Sequence, residues 1–412
     1  MREPEEKIIL VGVQTEGAGT EESLKELAEL LRTAGAECAG TVIQNREAVH
    51  PGTYIGKGKI EEVREMLEET GANGICCDDE LSPAQMKNLE DLLDTRVLDR
   101  TVVILDIFAT HAHTNEGKLQ VELAQCRYSL TRLQGYGKAM SRLGGGIGTR
   151  GPGETKLETD RRRIRQRISG LKEALREMER TRKVQRSRRE KNSVPTAAIV
   201  GYTNAGKSTL LNALTGSSVL SEDKLFATLD PTTRSLALPD GETVLLTDTV
   251  GFIHKLPHHL IEAFRSTLEE AKYADLILHV ADASDPALEE HLAVVYETLR
   301  DLDVGGKPIL TLFNKCDLVP EGRIFRDPHA DAVLRISART GENLSEVLGE
   351  IRRILSENRV YYEKVVPYAK ASLVQRIRQR GQLLSEEYRE DGILVKAYLP
   401  RAAAMQILSE EI

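Results

Sequence analysis

The sequence predicts a multidomain α/β protein, and three observations carry that reading. Short apolar runs alternate with amphipathic helical stretches over residues 1–105 and again over 195–358, the pattern of parallel sheets layered with helices. An apolar run ending at Gly201 leads through Tyr202, Thr203, Asn204, Ala205, Gly206, Lys207 and Ser208 into a helix-like run from Thr209. Between the two alternating regions lie long charged helical stretches interrupted by glycines. The expected organisation is an N-terminal parallel α/β domain (1–105) and a helical hairpin (106–194) carrying a glycine-rich loop (135–158). A central P-loop domain (195–358) and a small C-terminal α/β domain (359–412) follow.

Composition narrows the class. The formal net charge is −8, so this is not a globally basic nucleic-acid binder, and DNA is not an expected partner. The five cysteines (Cys38, Cys76, Cys77, Cys126, Cys316) are odd in number and form no C-x-x-C pair. Reduced thiols packed as small apolar groups fit better than a disulfide framework. The N-terminus is acidic and has no signal-like apolar segment, and no apolar run approaches membrane-spanning length. A cytoplasmic protein is expected, with peripheral membrane association left open and integral insertion excluded.

In the N-terminal domain, 7–15 reads as a buried strand and 21–34 as a helix with Leu24, Leu27, Leu30 and Leu31 on one face. Strand 37–44, helix 58–70 and strand 73–78 follow. Ser82-Pro83 starts another helix as an N-cap followed by proline at the first helical position. Strand 95–99 and a helix from about 100 close the unit. The stretch from Gly52 to Lys59 has three glycines and two lysines before a helix. It reads either as a second phosphate cradle, for RNA or nucleotide, or as a plain turn. Its spacing is one residue short of a P-loop, and no Ser or Thr follows the lysine.

The hairpin is expected from helices at 105–133 and 157–189. His111 and His113 are two residues apart and cannot share a helix face, which argues against zinc; they, Lys118 and Arg127 are placed to meet a partner. Residues 135–158 have almost nothing to bury and carry Lys138, Arg142, Arg150 and Lys156. A mobile loop facing an RNA backbone is expected there. Beyond it, Ile164, Ile168, Leu171, Leu175 and Met178 mark one apolar face of a helix whose other faces are basic, with Glu173, Glu177 and Glu179 interspersed.

The central domain carries the chemistry. Glycines at 201 and 206 let backbone amides curl round a phosphate, and the helix N-terminus adds partial positive charge. Lys207 can reach β- and γ-phosphates, and the Ser208 hydroxyl can ligate Mg2+. The Thr-rich stretch Phe226-Ala227-Thr228-Leu229-Asp230, continuing to Thr232 and Thr233, is a candidate switch; the residues alone do not choose the Mg2+-binding threonine. Strands Ser235–Leu238 and Thr243–Thr247 are joined by an Asp240-Gly241 turn. The second leads into Asp248-Thr249-Val250-Gly251, where Asp248 would hold Mg2+ through water and the Gly251 amide would meet a γ-phosphate. Strand Asp275–Ala281, helix 286–302 and strand Pro308–Phe313 lead to Asn314-Lys315-Cys316-Asp317. The Asp317 carboxylate can accept from both N1–H and N2–H of guanine, which adenine does not offer. Ser337-Ala338-Arg339, after strand 332–336, would close over the base. GTP and GDP are the expected ligands, with Lys207, Asp248 and Gly251 in catalysis. The C-terminal domain reads as strand 361–368, helix 370–386, strand 393–399 and helix 401–411, with no chemistry of its own.

Further motifs carry a family resemblance over essentially the whole chain: Gly117–Gln125, Gly144–Arg162, the P-loop, Phe226–Arg234, Asp248–Phe252 and Asn314–Asp317. Together they resemble the HflX family of ribosome-associated P-loop GTPases, in the Obg-HflX group. The resemblance implies a GTPase that binds the large ribosomal subunit and splits stalled ribosomes. It implies that the N-terminal domain and hairpin contact rRNA, with the glycine-rich loop toward the peptidyl-transferase region, and that the protein is monomeric off the ribosome. It ranks Thr228 first and Thr233 second as the catalytic, Mg2+-binding threonine. Some members bind ATP or unwind RNA through the N-terminal region, and some protect against antibiotics. Phe252 stands where Ras-like enzymes place a water-orienting Gln, so slow, ribosome-stimulated turnover and a retracting Phe252 are expected. Asn204 matches the position of a K+ ligand in some GTPases, or it braces the loop. The alternative function is a GTP-dependent RNA-binding or assembly factor without splitting activity.

Overall fold

A computed structural model describes residues 6–15, 19–140, 152–191, 194–216, 225–226, 229–239, 241–256, 268, 270–320, 322–357, 359–400, 404–405 and 407. Among these the chain forms two compact units. The first spans Met1–Arg176, Glu222–Asp230 and Ile253–Arg265; the second spans Glu177–Ser221, Pro231–Phe252 and Ser266–Ile412.

The first unit is built on β1 (Glu6–Gln14), α1 (Thr20–Ala34), β2 (Ala36–Asn45), α2 (Lys57–Thr70), β3 (Gly74–Cys77), α3 (Pro83–Leu93) and β4 (Arg96–Asp99). Its four strands are parallel in the order β2-β1-β3-β4. Ile8 to Val11 are buried on both faces, as a sheet covered by helices requires. Leu24, Leu27, Leu30 and Leu31 of α1 are buried as their spacing predicts. Ser82 caps α3 in a reciprocal box with Gln85, and Pro83 opens the helix.

Two sequence expectations change here. The single helix expected at 105–133 is two: α4 (Arg100–His111) and the start of α5 (Asn115–Met140). Thr114 caps α5 through the Gly117 amide (3.0 Å), and the Asp230 carboxylate accepts from the His113 and Thr114 amides (2.9 and 2.8 Å). A carboxylate at those free amides favours a new helix N-terminus over a continuous helix. The glycine-rich loop is also shorter than 135–158. Residues 135–140 close α5, 152–158 open α6 (Pro152–Lys191), and 141–151 lie outside the described residues. Along α6, Leu171 is buried and Ile164, Ile168, Leu175 and Met178 are half-buried, while Arg162, Arg163, Arg165 and Arg167 are exposed.

Several amides of the loop before α2 have partners within the fold. His50 Nδ1 accepts from the Gly52 and Thr53 amides (3.2 and 3.1 Å), and Gln44 Oε1 accepts from the Gly56 amide (2.8 Å). The first turn of α2, after the N-cap Gly56, has no side-chain cap, so these bonds do not choose between the cradle and the plain turn.

The second unit holds β5 (Thr196–Gly201), α7 (Lys207–Thr215), β6 (Thr232–Ala237), β7 (Thr243–Asp248), β8 (Leu276–Asp282), α8 (Leu288–Asp301), β9 (Ile309–Asn314), β10 (Ala332–Arg335) and α9 (Leu344–Glu357). The sheet order is β10-β9-β8-β5-β7-β6, all parallel except β6, which runs antiparallel to β7. Gly241 turns the β6–β7 hairpin at φ 86°; Asp240 lies outside the described residues. Ile199, Leu246, Leu278, Leu310 and Ile351 lie in one fully buried core.

A separate small sheet follows, order β11-β13-β12: β11 (Arg359–Val366), β12 (Gln382–Arg389) and β13 (Gly392–Pro400), all antiparallel, backed by α10 (Ala371–Arg380). The helix expected over 370–386 therefore stops at Arg380, and Gln382–Arg389 is an extra strand. Gly381 explains the break. A Cβ there would stand 2.7 Å from the Tyr398 carbonyl oxygen, so only glycine lets the chain leave the helix against β13. Among the described residues no helix is long and apolar enough to cross a membrane.

Candidate nucleotide site

The site in the second unit begins where β5 ends, between β7 and β8. Gly201 has φ 155°, and a Cβ there would run into the Val280 carbonyl oxygen on β8. Gly206 has φ 95°, and its Cβ would strike the Asn314 amide. Both glycines of the motif are thus fixed by close approach of neighbouring strand ends. The loop between them also holds Asn204 at φ 59°.

Lys207 opens α7 and is almost wholly buried, with Nζ donating to the Tyr202 carbonyl oxygen at 2.7 Å. Burial pulls its ammonium down to about 8, although Asp248 nearby holds it up. Ser208 Oγ donates to Asp248 Oδ2 at 2.7 Å, joining the first turn of α7 to the C-terminal end of β7. Thr249 Oγ1 donates to the Ile199 carbonyl oxygen (2.7 Å). Phe252 is buried, forms a parallel bridge with Tyr202, and its amide donates to the Gly201 carbonyl oxygen (3.1 Å). Its own carbonyl accepts from the Thr203 amide at 2.8 Å. In this arrangement Phe252 lies folded onto the P-loop.

The end that the sequence assigns to the base begins at β9. Asn314 Nδ2 donates to the Ala205 carbonyl oxygen (2.8 Å), and Asn314 Oδ1 accepts from the Ala338 amide (2.9 Å). Lys315, at φ 62°, pairs with Asp282 (2.7 Å). Asp317 accepts from Arg339 Nη2 at 2.6 Å. A hydrogen bond from Ser337, then Arg339, holds its carboxyl below the usual range, so it is an ionised acceptor at neutral pH.

Three family descriptions match the chain in succession: "GTP-binding GTPase N-terminal" over residues 21–109, "GTP-binding GTPase Middle Region" over 111–189 and "50S ribosome-binding GTPase" over 196–315. GTPase HflX of Lacrimispora saccharolytica is 60% identical over 404 residues, covering 97% of this chain and 95% of that protein. The chain belongs to the HflX family of GTPases. GTPase HflX of Escherichia coli K12 is 43% identical, covering 94% of this chain and 92% of that one. A solved structure described as a complex of SsGBP and GDP is 26% identical, covers 85% of this chain and 99% of its own, and has a TM-score of 0.48.

As an HflX-family member, the chain is a GTP-hydrolysing enzyme that binds guanine nucleotide. The P-loop, Asp248–Gly251, Asn314–Asp317 and Ser337–Arg339 are all in the second unit, joined by the bonds above. Phe226, Leu229 and Asp230 belong to the first unit. There Phe226, at φ 57°, meets the Phe108 ring edge-on at 4.7 Å, and Asp230 holds the start of α5. Ala227 and Thr228 lie outside the described residues. Thr233, the second candidate, sits in β6 and bonds Thr247 Oγ1 across the hairpin (2.9 Å). Sequence reading missed His291, whose ring stacks on Tyr202 at 3.7 Å and 13°. Burial keeps that imidazole below its usual pKa, favouring the neutral ring that stacks. Nothing in the sequence marks a residue of α8 as a partner of the P-loop.

Proposed function

We propose that this HflX-family GTPase binds the large ribosomal subunit and dissociates stalled or stressed ribosomes, hydrolysing GTP to GDP and phosphate. The observation that carries this reading is the charge of α6. Residues 152–191 hold fifteen Lys and Arg (156, 161, 162, 163, 165, 167, 172, 176, 180, 182, 183, 186, 188, 189, 191) against seven Asp and Glu (154, 158, 160, 173, 177, 179, 190). That is 15 − 7 = +8 in a chain of net −8. A basic rod within an acidic protein suits a phosphate backbone, here rRNA, more than a small ligand. The family description "50S ribosome-binding GTPase" supports the same partner. Residues 141–151 would extend the contact.

Mg2+ fits the donors at hand. The Ser208 hydroxyl is a hard oxygen ligand, the buried Asp248 carboxylate 2.7 Å from it would hold the ion through water, and Thr228 is proposed as the second direct ligand. Bound there, the ion would neutralise phosphate charge. Lys207 would bind the β- and γ-phosphates, the Gly251 amide would meet the γ-phosphate, and Asp317 would select guanine. Asn204, at its left-handed position in the loop, is the proposed K+ ligand. Phe252 cannot polarise water, so turnover off the ribosome is slow and contact with the large subunit accelerates it.

The test is co-sedimentation with large subunits in GTP, a non-hydrolysable analogue and GDP, with light scattering of joined ribosomes and turnover measured alongside. Binding only in the GTP-loaded state, with a fall in scattering, supports splitting. Binding without a fall favours the assembly-factor alternative. Equal turnover with and without large subunits would sink ribosome activation.

A further inference from the structure

The buried residues of α8 are Leu288, Val295 and Leu299, and His291 falls on the same helical spacing. Its imidazole lies flat on the Tyr202 ring, with centroids 3.7 Å apart and planes inclined by 13°. At the entry to α8, Asp285 Oδ1 accepts from the Ala287 amide (2.8 Å), and Asp285 Oδ2 stands 3.5 Å from His291 Nδ1. The start of the helix thus orients the imidazole, and the imidazole carries the Tyr202 ring. All of these residues belong to the second unit.

Tyr202 is the residue that follows Gly201 in the P-loop, and it is almost wholly buried. Its carbonyl oxygen accepts from Lys207 Nζ at 2.7 Å and from the Ala205 amide at 3.3 Å. The ammonium assigned to phosphate and the curl of the loop therefore both depend on where Tyr202 sits. Within that curl Asn204 has φ 59°, a left-handed conformation that a residue with a side chain keeps only where surrounding contacts impose it. Asn314 holds the loop at the Ala205 carbonyl, and the Phe252 main chain holds it at Gly201 and Thr203. The stack on His291 is the contact made by α8. A loop already held in its curl loses less conformational freedom when phosphate enters it.

We propose that His291 is a positioning residue for nucleotide binding. Its stack on Tyr202 holds the P-loop in the curl that receives phosphate and keeps Lys207 in place beside it. This role rests on the proposed seat of the β- and γ-phosphates in the P-loop. GDP and GTP use the curl alike, so the effect falls on affinity for both and not on the chemical step. A ring outside every recognised motif thereby becomes part of the site's preorganisation.

The test is titration of the full chain with a fluorescent GDP, together with steady-state GTP turnover, at one neutral pH. The variants are Lys207→Met, His291→Ala, His291→Leu, His291→Phe, Tyr202→Leu and Tyr202→Leu with His291→Ala. His291→Ala should weaken GDP binding about fivefold and raise KM by a similar factor, with kcat within about twofold of wild type. His291→Phe can still stack and should stay within about twofold of wild type, whereas His291→Leu fills the space without an aromatic face and should recover less. Once Tyr202→Leu has removed the partner ring, His291→Ala should weaken binding no further. A general loosening of α8 would persist in that background and would not be relieved by Phe. Wild-type affinity in His291→Ala overturns the proposal. So does an equal loss with and without the Tyr202 ring, or His291→Phe binding no better than His291→Leu. If His291→Ala does not fold, the comparison of Phe with Leu decides. Lys207→Met separates the two levels. If it binds GDP as wild type does, the seat of the phosphates falls and this role falls with it; if it loses GDP while His291→Ala does not, this role alone falls.

Discussion

Asn314 ties the P-loop to the base-reading loop: its Nδ2 donates to the Ala205 carbonyl oxygen at 2.8 Å, while its Oδ1 accepts from the Ala338 amide at 2.9 Å. One buried amide therefore fixes the spacing between the phosphate end and the guanine end of the site. Asn314→Ala removes both bonds and leaves a buried carbonyl and a buried amide without these partners. The expected loss is about 2–3 kcal/mol, or roughly 30- to 150-fold in GDP affinity. Titration with a fluorescent guanine nucleotide measures it, and an affinity within a few-fold of wild type would refute the bracing role.

Gly251→Ala should separate turnover from binding. A Cβ at Gly251 would stand 2.9 Å from Lys207 Nζ and 2.8 Å from Thr203 Cγ2. Overpacking of this kind costs about 1–3 kcal/mol, and here it falls against Lys207 and Thr203, on the side proposed to meet the γ-phosphate. GTP turnover is expected to drop about tenfold or more, with GDP affinity much less affected. Single-turnover hydrolysis with parallel GDP titration distinguishes the two.

Nucleotide binding should take up a proton at alkaline pH. Burial lowers the Lys207 ammonium to about 8 in the nucleotide-free protein, and phosphate oxygens favour its charged form. Below pH 7 the group is already protonated and binding is proton-neutral at this site. Near pH 8.5 a large fraction is neutral and must be protonated. Calorimetry of GDP binding in two buffers of different ionisation enthalpy should show uptake at about pH 8.5 and little at about 6.5. Affinity should weaken as pH rises through 8.

Stability should fall on acidification in two stages. His279 on β8 is buried with Nδ1 3.8 Å from Asp327, and burial pushes its imidazole below the usual value. Burial would raise Asp327, but its neighbours outweigh that, including donors on Thr311 (2.6 Å) and Tyr296 (2.7 Å), and hold it well below the carboxylate range. Both groups have depressed folded values, so each contributes stability above its unfolded pKa that is lost as pH falls through its folded one. These two groups add no slope above about pH 7; their contribution to the thermal midpoint should decline below about 6.5 as the unfolded His279 takes up a proton, and decline again below about 4 for Asp327. Replacing His279 with Gln should shrink the first stage in a pH-dependent melting series, leaving the part that the half-buried His291 contributes.

Much of the fold was legible because its signals are local. The buried runs of β1 and β5, the leucine face of α1 and the Ser82-Pro83 start of α3 are set by neighbouring residues. Where sequence reading erred, a distant contact decided. The expected helix over 105–133 breaks at Ala112–Thr114, where Asp230, more than a hundred residues away, holds the new N-terminus. The helix expected over 370–386 gives way to β12, because strand propensity there depends on pairing with β13.

The sequence by itself pointed to a guanine-nucleotide ligand and to the residues proposed to meet it. Glycine spacing, Lys207, Ser208, Asp248 and Asp317 are residue types that phosphate, metal and guanine require whatever surrounds them. Only the tertiary structure decided how that chemistry is restrained: Phe252 folded onto the P-loop, His291 stacked on Tyr202, and Phe226 and Asp230 held by α4 and α5. The physical reason is range. A motif specifies which atoms can meet a ligand, whereas a restraint depends on which remote atoms the packed chain brings within hydrogen-bonding distance.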